Sequence, residues 1–236
     1  MEMNIAVIPG DGIGPEITTA AIIVLEAIAE KYGHMLNLHY VKACSQSVEK
    51  SGEPLPAEAL ETCLQADAVL LGNTGLEKYK NLPLSKRPEY ALLKLRKELK
   101  VTTNIRPVHV YPELKPLSPL NQKALSKGLD YLFVRDIAGG VLCSDQVKGE
   151  GENGPEAYEY EYYNQKIVEE TAGLAFELAK ARKGKVVSLD KANVLGSSRL
   201  WRKTVTEIGK EHPDVELSHE YIDSAALKLI RMPWYY

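Results

Sequence analysis

The order of elements in this chain predicts an α/β fold of two domains, with parallel or mixed sheets joined by helical crossovers. Three observations carry that expectation. Strand-like and helix-like stretches alternate from the first residues onward. A glycine-rich turn, Gly10-Asp11-Gly12-Ile13-Gly14-Pro15-Glu16, joins the first strand to the first helix. Pro107, Pro112, Pro116 and Pro119 then interrupt the pattern and set a domain change near residue 100. The expected division is a first α/β domain over 1–100 and a second over 101–236.

The elements follow in order. A short apolar strand over 4–8 meets the glycine turn, and Pro15 suits the first turn of the helix beyond it. The turn invites a dinucleotide-binding reading, which fails: its glycines are spaced G-x-G-x-G, and acidic residues further on, such as Glu30, fall on a helix. The fold is therefore expected to be non-Rossmann. The helix over 17–31 groups Ile17, Ala21, Val24, Leu25 and Ile28 on one apolar face, widened by Ala20, Ile23 and Ala27. Strands are expected at 36–41 and 68–71, with a helix at 57–64 between them.

Residues 87–108 read as a helix running into a strand. Arg96 and Arg106 lie ten residues apart, one near the end of each element, with Leu92 and Leu93 one turn before Arg96. Two guanidinium forks beside apolar side chains suit a small carboxylate with a branched apolar group. A solvated helix flank and a strand-end arginine account for the same residues. A strand at 131–135 delivers Arg135 to the turn Asp136-Ile137-Ala138-Gly139-Gly140.

The next stretch, about 137–163, reads as a hairpin arm turning over 149–155. Its second half alternates with period two, putting tyrosines on one face and Glu159 and Glu161 on the other. Such a ribbon suits a subunit contact, and an exposed aromatic loop is the alternative. A helix over 165–183, a strand over 185–189, a helix to Lys210 capped by Ser197 or Ser198, a strand over 215–220 and a last helix complete the chain. Lys191 follows the first of these strands, and Asp223 sits near the start of the last helix.

Composition excludes some function classes. The chain has 236 residues, 44% of them hydrophobic and 26% charged, which is ordinary for a globular protein. A net charge of −3 supplies no general field toward nucleic acid or an anionic membrane. The longest apolar stretch, over 20–25, is far too short to span a bilayer. Cys44, Cys63 and Cys143 are odd in number and widely spaced, as expected for reduced thiols in the cytoplasm. Met1-Glu2-Met3-Asn4 shows no basic leader.

Together, several ordered motifs resemble the β-decarboxylating dehydrogenases, and within them the 3-isopropylmalate dehydrogenase family. They are the glycine turn, Leu92-Leu93-x-Leu95-Arg96-Lys97, Asn104-Ile105-Arg106-Pro107, Val134-Arg135, Asp190-Lys191-Ala192-Asn193-Val194-Leu195, Trp201-Arg202-Lys203-Thr204 and Tyr221-Ile222-Asp223. The resemblance runs along essentially the whole chain. It implies a two-domain, non-Rossmann fold, a homodimer, NAD as cofactor and Mg2+ or Mn2+ as metal. The implied reaction is oxidative decarboxylation of isopropylmalate, with tartrate- or isocitrate-type sister reactions as alternatives. Arg96, Arg106 and Arg135 match the arginines that hold substrate carboxylates, and Leu92 and Leu93 the positions beside the isopropyl branch. Leu76, Asn81 and Glu89 fall on the cofactor side. Lys191 matches the lysine that helps remove the hydroxyl proton, and Asp223 one metal carboxylate; both are offered across the dimer. Without the resemblance, Lys191 reads as a surface lysine and Asp223 as a helix cap.

Three departures stand out. The family's proton-donating tyrosine is replaced by Leu142, and its Gly-Gly-Pro loop reads Gly75-Leu76-Glu77. The family continues past the last helix into a strand, a G-D-x-x-S-D segment with two more metal aspartates, and an adenosine-binding loop. None is in this sequence, so the resemblance implies that the C-terminal part of the first domain is missing, or that the chain is a non-catalytic fragment. An unpaired sheet edge and an uncovered face on the first helix are expected in consequence.

Overall fold

The computed structural model describes residues 1–144 and 147–236, and of Leu142 only the main chain. Two compact units divide the chain, Met1–Lys100 and Val101–Tyr236.

In the first unit, β1 (Glu2–Gly10) leads into α1 (Gly14–Tyr32), then β2 (Met35–Tyr40), α2 (Ser45–Ser51), α3 (Ala57–Gln65), β3 (Ala68–Asn73) and α4 (Tyr90–Glu98). The sheet is parallel in the order β2-β1-β3. Period-two alternation along β1 sends Ala6 and Ile8 to a core with Leu55, Ala59, Ala91 and Leu95, and Ile5 and Val7 to Ile22 of α1. A central parallel strand buried on both faces needs that continuous apolar run.

The glycine turn packs a helix onto the sheet. A side chain at Gly14 would strike the Pro9 carbonyl, and one at Gly72 would strike that carbonyl and the Thr18 hydroxyl. The helix end is closed by Gly33 at φ 66°, whose neighbour His34 donates back to the Ala29 carbonyl at 2.8 Å. The buried face of α1 runs through Thr18, Ile22 and Ala29. Ile17, Val24 and Ile28 are exposed together with Ile23, the uncovered face expected of the first helix. The sheet accommodates only the narrower stripe, and apolar periodicity by itself does not say which stripe that is.

The second unit opens with β4 (Thr103–His109) and β5 (Asp130–Asp136), an antiparallel pair in which Asn104 faces Arg135 and Arg106 faces Phe133. A hairpin of β6 (Val147–Gly151) and β7 (Gly154–Tyr158) follows, then α5 (Gln165–Lys180), β8 (Lys185–Asp190), α6 (Gly196–Glu211), β9 (Glu216–Tyr221) and α7 (Ile222–Arg231). Strands β8 and β9 are parallel, and their last rung joins Asp190 to Tyr221. Helix α5 packs on β5, β8 and α6. Its Val168, Ala172 and Phe176, one turn apart, form a core with Val205 of α6 and Val215. The Asn164 side chain caps α5 by accepting from Ile167 N at 3.0 Å.

Two expectations for this unit are corrected. The alternating ribbon over 157–163 is a strand only to Tyr158. Tyr163 turns inward, stacking edge-on against Trp201 at 5.8 Å and lying against Gly139 and Gly140, where a larger residue would collide with its ring. Burial of one tyrosine outweighs the alternation there. Neither Ser197 nor Ser198 caps α6. Its N-cap is Leu195, and the Ser197 hydroxyl donates to Glu161 at 2.5 Å instead. No helix among the described residues is long and apolar enough to cross a membrane.

Candidate active site

The parallel pair β8–β9 sets the first part of the site. One residue beyond β8 stands Lys191, and in the first turn of α7 stands Asp223. Because the strands run in the same direction, both positions leave the sheet at the same end, where α/β proteins collect polar groups. The Lys191 ammonium donates to Asp223 Oδ2. That contact holds the Asp223 carboxyl below the usual carboxylate range. Asp223 is exposed and Lys191 half-buried.

Beneath this pair lies a buried carboxylate. Asp190, whose side chain is 2% exposed, accepts from Arg202 Nε at 2.8 Å and Arg202 Nη2 at 2.9 Å. It also accepts from Ala192 N at 2.9 Å. The Arg202 guanidinium stands 4.9 Å over the Tyr221 ring. Asp190 and Arg202 were not distinguished by sequence reasoning, although both sit inside the quoted motifs. Their signal was an acidic residue ending a strand and a basic one nearly two turns into the next helix.

The antiparallel pair β4–β5 sets the second part. Its register places Asn104, Arg106, Phe133 and Arg135 on one face, with the two arginines diagonal neighbours. Both are exposed, and neither makes a salt bridge or side-chain hydrogen bond among the described residues. Arg182 and Arg202 in the same unit are paired with Asp130 and Asp190. A cavity of about 770 Å³ opens beside this face. Every residue of β5 and of β8 lines it, so both strands meet it edge-on. Its walls include Leu132, Val134, Phe176, Val186 and Leu189, while Arg106, Arg135 and Asp190 bring charge. Lys191 and Asp223 do not line it.

In the first unit, α4 buries Ala91 and Leu95 and turns Leu92, Leu93 and Arg96 away from that core. Leu92 and Arg96 are one turn apart and share a face. Arg96 also makes no salt bridge among the described residues. Past β3, the loop is pinned by a buried carboxylate missed at the sequence level. Asp11 accepts from Ser45 N at 2.9 Å and from Gly75 N at 2.8 Å. Gly75, at φ +99°, lies where any Cβ would meet the Glu89 side chain, and the Leu76 side chain sits over Gly12. Asn81 is exposed and makes no side-chain hydrogen bond to Leu76 or Glu89.

The residues fit NAD in part. Leu76, Glu89 and the Gly12 and Gly75 main chain lie together at the carboxyl ends of β1 and β3, where glycine lets the main chain approach closely, as a flat nicotinamide ring requires. Both lysines of the adjoining turn are already engaged, Lys78 with Glu49 and Lys80 with Glu77. A divalent metal is not fitted, since no group of three metal-ligating side chains exists among the described residues and Asp223 is paired with Lys191. The Leu142 side chain lies outside the described residues.

The described residues combine an α/β fold, two arginines on one sheet face that make no salt bridge among them, and a lysine–carboxylate pair at a strand end. The chain belongs to the isocitrate/isopropylmalate dehydrogenase family, whose model matches residues 4–236. It is 47% identical over 232 residues to the 3-isopropylmalate dehydrogenase of Clostridium pasteurianum, covering 98% of this chain and 65% of that one. The Wolinella succinogenes enzyme of the same name is 48% identical, with 98% and 63% covered. Among solved structures, a β-decarboxylating dehydrogenase from Thermococcus kodakarensis matches with TM-score 0.75 and 30% identity, over 98% of this chain and 61% of that one. The isocitrate dehydrogenase of Methylococcus capsulatus matches at 0.78 and 26%, over 99% and 65%. The chain thus spans about 65% of the length of the curated relatives it matches.

Proposed function

We propose that this chain serves the NAD-dependent oxidative decarboxylation of 3-isopropylmalate to 4-methyl-2-oxopentanoate, a step of leucine biosynthesis, as a cytoplasmic homodimer using Mg2+ or Mn2+. The observation that carries the reading is the pair Arg106 and Arg135, which share one face of β4–β5 and have no carboxylate partner among the described residues. Two permanent cations so placed grip carboxylates bidentately, and their free state leaves their donors for a ligand. In the first unit, Arg96 matches the family's third substrate arginine, and Leu92 and Leu93 match the positions beside the isopropyl branch. A pocket that fills that branch discriminates by roughly 1–3 kcal/mol against a substrate lacking it.

Lys191 is the group that takes the substrate hydroxyl proton. While Nζ donates to Asp223 it has no lone pair to offer, so taking the hydroxyl proton requires Nζ to leave Asp223 and first release its own proton to solvent. Asp223 is exposed to solvent, which screens the pair and makes it easy to open. Leu76, Asn81 and Glu89 would hold NAD, which would supply the acceptor for the hydride on the carbon bearing that hydroxyl. No step is derived through a metal, because the described residues do not by themselves hold one.

A non-catalytic, anion-binding reading is favoured by the lack of further metal-ligating side chains grouped with Asp223 among the described residues. The experiment joins residues 1–236 to the remaining segment of the Clostridium pasteurianum enzyme and follows NADH with isopropylmalate, isocitrate and tartrate. NADH formation preferring isopropylmalate is expected, with Arg106→Met and Arg135→Met each lowering kcat/KM by about tenfold or more, as lost charged hydrogen bonds do. Preference for isocitrate or tartrate would shift the reading to a sister dehydrogenase. Diacid binding without NADH would leave the non-catalytic one.

A further inference from the structure

We propose that Asp190, Arg202 and Tyr221 form a positioning clamp that sets Lys191 against Asp223, an inference that rests on reading this pair as the proton-handling group. The last rung of β8–β9 is Asp190 to Tyr221. Lys191 is the next residue along one strand, and Asp223 lies two residues beyond the end of the other. Whatever locks this rung therefore fixes the spacing of the pair above it.

Arg202 is the lock. Its guanidinium donates twice into the buried Asp190 carboxylate, at 2.8 and 2.9 Å, and stacks at 4.9 Å on Tyr221. One planar group thus grips the ends of both strands, which a lysine ammonium lacks the shape to do. The Asp190 carboxylate also holds Ala192 N, so the turn carrying Lys191 hangs from the same two oxygens. Two further ties join α6 to these strands, Trp201 Nε1 to the Ser188 hydroxyl at 3.1 Å and Thr206 to His219 at 3.0 Å, but both lie below the last rung. A lysine–aspartate pair whose carboxylate is exposed contributes little to its own geometry. Its orientation comes from the clamp beneath.

The test is zero-length carbodiimide coupling of Lys191 to Asp223 in residues 1–236, with the amide measured by mass spectrometry. Tyr221→Leu removes an exposed ring and keeps the buried ion pair; coupling is expected to fall about two- to fivefold, the scale of an exposed cation–π contact. Asp190→Asn with Arg202→Met removes both charges without stranding either. A purely stabilising role predicts that this double variant regains both thermal midpoint and coupling relative to Arg202→Met alone. The clamp predicts a regained midpoint with coupling still down about tenfold. Parent-level coupling in Tyr221→Leu, or in the folded double variant, overturns the clamp. Coupling needs neither substrate nor NAD, so an inactive chimaera removes the proposed reaction and leaves the clamp standing, and unchanged coupling does the reverse.

Discussion

At the scale of single residues, the sequence exposed residue types but not their partners. Arg96, Arg106 and Arg135 stood out by spacing and by their motifs, and each is free of a carboxylate among the described residues. Asp11, Asp190 and Arg202 did not stand out, because a buried carboxylate that organises main-chain donors looks in sequence like any acidic loop residue. His219 shows what burial adds. Its Nδ1 is buried without a partner among the described residues, and burial, reinforced by the Arg202 charge, lowers its pKa from the ordinary histidine range. The native state therefore binds fewer protons than the unfolded one below about pH 6.5. The stability from neutral His219 is fully present above that pH and is lost as pH falls through the depressed native value. Urea unfolding of the parent between pH 7.5 and 5 is expected to show this loss, and His219→Gln a shallower slope. Equal slopes would mean that His219 titrates alike in both states.

Among whole elements, the order of strands and helices was legible because hydrophobic period and turn residues are local signals. Which stripe of a helix is buried is not local, and α1 shows it: the sheet takes Thr18, Ile22 and Ala29 and leaves Ile23, Val24 and Ile28 outside. The cap expected at Ser197 failed for a similar reason, since Glu161, distant in sequence, captures the hydroxyl. The loop after β3 depends on Asp11, 2% exposed, whose two oxygens hold Ser45 N and Gly75 N. Asp11→Ala leaves both donors without their acceptor, which at typical values for charged hydrogen bonds costs roughly 3 kcal/mol. The urea midpoint of the first unit should fall accordingly, with Asp11→Asn retaining part of the loss because one carbonyl acceptor remains. A midpoint within error of the parent would show that water replaces the carboxylate at no cost.

For the molecule as a whole, the surface carries more apolar side chains than a solitary globular chain comfortably exposes. On α1, Ile17, Ile23, Val24 and Ile28 are 45–61% exposed, and on α7, Ile222, Leu227 and Ile230 are 44–63% exposed. In the second unit, β5 and β8 also present edges to the 770 Å³ cavity, and each pairs with one strand only among the described residues. Single exposed leucines are ordinary, but contiguous apolar faces drive association, and unpaired edges template strand addition. Residues 1–236 in isolation are therefore expected to bind a hydrophobic dye strongly and to self-associate beyond a dimer, with light scattering rising with concentration. Ile23→Lys with Ile28→Glu places two charges on the α1 face without touching its buried stripe of Thr18, Ile22 and Ala29. That pair should lower dye binding and shift the association toward smaller species while leaving the urea midpoint of the first unit close to the parent. A monodisperse parent with weak dye binding would mean that these faces are covered by one another in solution, and the pair of charges would then destabilise the fold instead of solubilising it.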